Sequence, residues 1–85
     1  GGAYSAKNPF AVLQLSDVQA LADAGVKEIT IETLIENGYV RGQKPRVKLL
    51  SGGELTTPVT LSVHAASETA KKVLEKAGGT LNLVA

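Results

Sequence analysis

The spacing of apolar residues changes character several times along the chain, and each change marks an element. "FAVLQL", residues 10 to 15, is apolar on both parities. That pattern predicts a strand buried on both faces, which favours parallel pairing through helical crossovers. Ser16 with Gln19 three residues on has the capping-box spacing, in which each side chain satisfies an orphan backbone donor, so a helix is predicted to start there and to end at Gly25. "VKEIT" then reads as extended, and Thr30 is placed to cap a second helix, "IETLIEN". Ile31, Leu34 and Ile35 form its apolar stripe, and Gly38 stops it.

Beyond this helix the period becomes two. Val47 and Leu49 share one parity and Arg46 and Lys48 the other, while Val59, Leu61 and Val63 alternate with Thr60, Ser62 and His64. Both runs predict half-buried strands. The glycines of "SGGE", 51 to 54, suit a tight reversal, so the first of these strands is expected to turn back there as a hairpin. Pro58 lacks a backbone donor and is expected at a strand start or an edge. Ser67 then caps the strongest helical pattern, 68 to 77, where Ala70, Val73, Leu74 and Ala77 fall at buried-face spacing. Gly78 and Gly79 end it, and "TLNLV" predicts a last strand with Leu81 and Leu83 on one side. Strands and helices mixed along the whole length imply a mixed α/β domain rather than a bundle or a sandwich.

Composition narrows this further. At 85 residues one compact domain is expected, with 1–9 as a flexible N-terminal stub and 10–85 as a single globular unit. Apolar residues at 44% and no long polar tract argue against a disordered chain. Phe10, Tyr4 and Tyr39 are the only aromatics, so aliphatic side chains must fill the core, and Tyr39, following the helix-ending Gly38, is expected to pack. Without cysteine there is no disulfide framework and no thiolate chemistry. No apolar run approaches the roughly 20 residues of a membrane-spanning helix, and the first ten residues lack a signal peptide's apolar middle, so no membrane is expected among the partners. Gly1 and Gly2, without an initiator Met, suggest a cleaved tag or the cut end of something longer.

Charge is the uneven feature. Residues 1 to 40 set Lys7 and Lys27 against Asp17, Asp23, Glu28, Glu32 and Glu36, a net of −3. Residues 41 to 85 set Arg41, Lys44, Arg46, Lys48, Lys71, Lys72 and Lys76 against Glu54, Glu68 and Glu75, a net of +4. Only the second half suits a polyanion. If 44 to 48 is extended, Lys44, Arg46 and Lys48 project from one side about 7 Å apart, a ladder able to follow a sugar-phosphate backbone. The bland reading is a solvated strand face whose charges discourage edge pairing. Likewise Glu68–Lys72 and Lys71–Glu75 have the spacing of ordinary helix-surface pairs.

From Ile29 to Val84 the run resembles, without an obvious gap, the carboxyl-terminal domain of the bacterial large-subunit ribosomal protein family L-fifteen. "ETLIENGYVR", "VKLLSGGELTTPVTLSVHAAS" and "KKVLEKAGGTLNLV" carry the likeness by their order and spacing, and "FAVLQLSDVQAL" is similar to the preceding family segment. The resemblance implies the irregular beta-beta-alpha superhelix shared with the L-eighteen-e relatives. It also implies a structural role in the cytoplasmic or organellar ribosome, binding large-subunit ribosomal RNA beside neighbouring ribosomal proteins, without catalysis, cofactor, metal or small-molecule substrate. With it the ladder becomes a candidate RNA contact: Arg41, Lys44, Arg46 and Lys48, joined by Lys71, Lys72 and Lys76. Two departures stand out. Family members usually begin with a long Gly-, Arg- and Lys-rich extension that these residues do not contain, and Thr57 and Pro58 stand where the family often has lysines, so RNA affinity is expected to be reduced.

Other chemistries have little to build on. His64 is the single histidine; its parity gives it a surface or capping role, and no second strong ligand is spaced to help it hold a metal. Ser and Asp are present, but no strand-turn-helix nucleophile elbow is visible. "RGQKP" and "SGGEL" fit neither phosphate-loop frame, and aromatic platforms for stacked bases are missing. Gly78 and Gly79 read first as helix terminators, with close approach of RNA to their amides as the lesser alternative. The rival to an RNA-binding part is a protein-interaction or scaffold module of the same fold, favoured by the acidic first half.

Overall fold

A computed structural model describes residues 10–42 and 45–84, with the Phe10 side chain outside the description. The expected stub, 1–9, therefore lies outside the described residues, as does Lys44. In chain order the elements are β1 (Phe10–Gln14), α1 (Leu15–Asp23), β2 (Glu28–Ile29), α2 (Ile31–Glu36), β3 (Arg46–Leu50), β4 (Thr60–Val63), β5 (Ala65–Ala66), α3 (Glu68–Lys76) and β6 (Thr80–Leu83). The mixed α/β class read from the sequence is the architecture found.

The strands sort by parity of order into two three-stranded sheets, β1-β3-β5 and β2-β4-β6. Every pairing is parallel. The hairpin expected at 51–54 is therefore absent: β3 and β4 belong to different sheets. The glycines serve another purpose. Gly52 N donates to Gln14 Oε1 at 2.9 Å, and Ser16 N donates to Gly52 O at 3.0 Å, so the loop closes over the start of α1. Gly53 has φ +86, and a Cβ there would lie 2.6 Å from Ser16 Cβ. Local turn chemistry and this long-range docking make the same demand on the backbone, which is why the sequence pattern points to a reversal.

The same contact displaces the expected cap. Gln14, not Ser16, is the N-cap of α1, with its backbone N–H donating to Asp17 Oδ2 at 2.9 Å. Gln19, instead of reaching back, accepts from Thr56 N at 2.8 Å and donates to Thr57 Oγ1 and Asp23 Oδ1. The other two caps stand as the sequence has them: Thr30 Oγ1 accepts from Thr33 N and Ser67 Oγ from Ala70 N.

One aliphatic core joins both sheets and all three helices. Leu13, Val47 and Leu49 from the first sheet, Ile29, Leu61 and Val63 from the second, and Leu15, Val18, Leu34, Ala70 and Leu74 from the helices are wholly buried. Tyr39 packs against this cluster as a partly buried residue. Gly79 shows how tight the packing is, since a Cβ there would lie 2.7 Å from Val59 O and 2.8 Å from Leu74 Cδ1. Strand order explains two further departures. Pairing with β3 puts Val12 in register with Lys48 on the uncovered face of its sheet, where it is 43% exposed; β6 is the outer strand of the other sheet, and Leu83 is 54% exposed although Leu81 beside it is partly buried.

Where the chain crosses from one sheet to the other, His64 makes the join. Its backbone amide donates to Val47 O and its ring Nδ1 accepts from Val47 N, both at 3.0 Å. Val47 is thus satisfied on both sides, and the ring, accepting at Nδ1, carries its neutral-form proton on Nε2. Of the surface or capping role expected from the sequence, the half-buried ring takes the second, closing the backbone of Val47.

Candidate nucleic-acid interface

β3 alternates because its sheet is covered on one side only. Val47 and Leu49 are fully buried, and in register with them Ala11, Leu13 and Ala66 also face the core. The opposite side carries the row Val12–Lys48–Ala65, with Arg46 before it and Gln14–Leu50 after it. Arg46 is exposed and Lys48 half-buried. That is the expected state of a lysine in a central strand, whose stem lies along its neighbours while its ammonium reaches for water. Two cations spaced about 6.6 Å apart on a strand match the reach from one phosphate to the next along a backbone.

β3 is the central strand of its sheet, so defence of a free edge does not explain these charges. Edge defence is a task for an outer strand, and β1 and β5 already cover both sides of β3. Arg41 is exposed in the connection that leads from α2 into β3. Lys44, the first rung of the expected ladder, lies outside the described residues.

The lysines of α3 do not form one group. At about 100° per residue, Lys72 and Lys76 lie about 40° apart around the helix, whereas Lys71 and Lys76 lie about 140° apart on opposite flanks of the buried Ala70–Leu74 stripe. Lys71 is half-buried; Lys72 and Lys76 are exposed. Among the described residues, neither Glu68–Lys72 nor Lys71–Glu75 closes into an ion pair. Lys76 stands in the last helical turn, where a cation complements the carbonyl end of the helix. It also borders an open groove of about 440 Å³ with Gly53, Glu54, Leu55, Thr56, Val73 and Ala77. A phosphate approaching Lys76 therefore also meets the Glu54 carboxylate.

The amides of Gly78 and Gly79 are already engaged by Glu75 O and Leu74 O, which removes them as RNA donors. Sequence reasoning missed the apolar members of the basic face, Val12 and Leu50. Their parity with Arg46 and Lys48 is readable only once β1 is known to pair with β3 in this register. Among the described residues no cluster of three or more His, Asp or Glu could hold a metal, and no helix is long and apolar enough to cross a membrane.

The geometry defines a small parallel-sheet α/β domain with a cation-bearing sheet face. A family model for the 50S ribosomal proteins L15 and L18e and the 60S ribosomal protein L-twenty-seven-A matches residues 12–82, and the chain belongs to that family, one of ribosomal proteins and not of enzymes. It is 49% identical over 72 residues to large ribosomal subunit protein uL15 of Myxococcus xanthus, covering 85% of this chain and 41% of that protein. To uL15 of Lactobacillus johnsonii it is 40% identical over 78 residues, 92% of this chain and 52% of the relative. To that of Rhodospirillum rubrum it is 42% identical over 81 residues, with shares of 91% and 50%. The chain spans about half the length of the curated relatives it matches.

Proposed function

We propose that the chain acts as a structural part of the large ribosomal subunit in the cytoplasm, with an organellar ribosome as the variant setting, and that it binds large-subunit ribosomal RNA without catalysis. Phosphate contacts come from Arg41, Lys44, Arg46 and Lys48 on and before β3, supplemented by Lys71, Lys72 and Lys76. The observation that carries this reading is the outward presentation of Arg46 and Lys48 by a central strand, in a chain whose relatives are named as large-subunit proteins. With charge and shape as the means of recognition, affinity is expected to be salt-sensitive and largely indifferent to base sequence.

If about four phosphates are neutralised, the logarithm of the binding constant falls with log salt at a slope of roughly −3 to −4. Filter binding of large-subunit ribosomal RNA across a salt series measures this. Replacing Lys44, Arg46 and Lys48 together with Gln should weaken binding and flatten the slope by about 2 to 3. Unchanged binding would remove the site assignment. The second reading, a scaffold module with little RNA affinity, is favoured by the acidic first half, and it requires a protein partner retained at high salt.

A further inference from the structure

A second surface is built on the other sheet and has the opposite character. Val84 follows β6, with its amide donating to Val63 O at 2.8 Å, and comes to rest beside the start of α2. Thr30, Ile31, Glu32, Ser62 and Val84 line an open groove there of about 380 Å³. One helical turn beyond Ile31, on the same stripe, Ile35 is 38% exposed, as is Val84. Glu32 and Glu36, both exposed and four residues apart, run along the solvent side of that stripe. None of the residues lining the groove is a cation.

Aliphatic side chains left in water beside two carboxylates that form no ion pair among the described residues make a poor resting surface and a good receiving one. Nucleic acid would be repelled by the carboxylates. We infer that the α2–β6 groove docks an extended protein segment rich in lysine or arginine, which sets an aliphatic side chain against Ile31, Ile35 and Val84 and its cations against Glu32 and Glu36. Charge complementarity selects the occupant: an anionic rim around an apolar floor suits a basic, partly apolar chain. The domain then has two faces for two kinds of partner, and this one does not depend on the RNA assignment.

The test is an NMR titration of the isotopically labelled chain with a short synthetic peptide alternating lysine and leucine. A counterpart with glutamate in place of lysine and a short oligoribonucleotide serve as the other arms. The basic peptide should move the Ile31, Ile35 and Val84 methyl signals and the Ser62 amide, and the acidic peptide and the RNA should not. Glu32→Gln with Glu36→Gln, in a protein whose remaining amide spectrum is unchanged, should weaken the basic peptide about fivefold. Shifts elsewhere only, equal binding of the acidic peptide, or the same methyls moved by RNA would each overturn the inference. So would broadening that follows protein concentration alone, which would assign the groove to a second copy. Loss of RNA binding in the β3 variants with peptide docking intact would leave both readings standing, whereas unchanged RNA binding in those variants would sink the RNA site and leave this one untouched.

Discussion

At the centre of one sheet β3 turns Arg46 and Lys48 outward, while at the corresponding place in the other sheet β4 turns out Thr60 and Ser62. Inside, the two strands are nearly interchangeable. Val47 and Leu49 on β3 and Leu61 and Val63 on β4 are all fully buried in one cluster. The inner faces are thus fixed by a shared core, and the outer faces are where the two halves of the molecule differ in chemistry. That separation lets Arg46 and Lys48 face outward on β3 while Glu32 lines the groove beside α2, without either arrangement disturbing the packing.

The comparison breaks first if the inner faces are not equivalent. Leu49→Ala and Leu61→Ala should each cost about 2–5 kcal/mol. Urea unfolding should show matching drops in midpoint, large enough in a domain of this size to leave either variant marginal. Unequal losses would mean that one sheet is held by something other than the common cluster. A smaller effect falls on the join between the sheets. His64→Ala removes the acceptor for Val47 N and should cost about 1–3 kcal/mol, more than any exposed residue of either outer face. The smallest concerns the helix caps. Thr30→Ala and Ser67→Ala should each cost about 1 kcal/mol, read by amide exchange as a local loss confined to α2 or to α3. Exchange that rose in both helices after either change would show that the two regions open as one.

Much of this pattern is legible in the sequence because it is local. Thr30 and Ser67 cap as their positions foretell, and the alternation of β3 gives the faces of Arg46 and Lys48 directly. What stays hidden depends on partners distant along the chain. Positive φ at Gly53 is compatible with a hairpin and with a loop docked on α1, and only the bonds to Gln14 and Ser16 decide between them. Val12 and Leu83 read as core residues until pairing sets Val12 beside Lys48 on the open face and Leu83 on an outer strand. The division of the α3 lysines, by contrast, follows from helical geometry alone. Lys71 and Lys76 fall on opposite flanks whatever the helix packs against.

The interleaving of odd and even strands also governs how the chain can be assembled during synthesis. β1 must wait for β3, β2 for β4, and neither sheet is complete until β5 and β6 have emerged late in the sequence. A nascent chain stopped short of Thr80 would leave one side of β4 bare, and with no hairpin among the described residues to close early, no sheet contact forms between strands adjacent in the chain. Such topology favours slow, concerted closure over strand-by-strand folding.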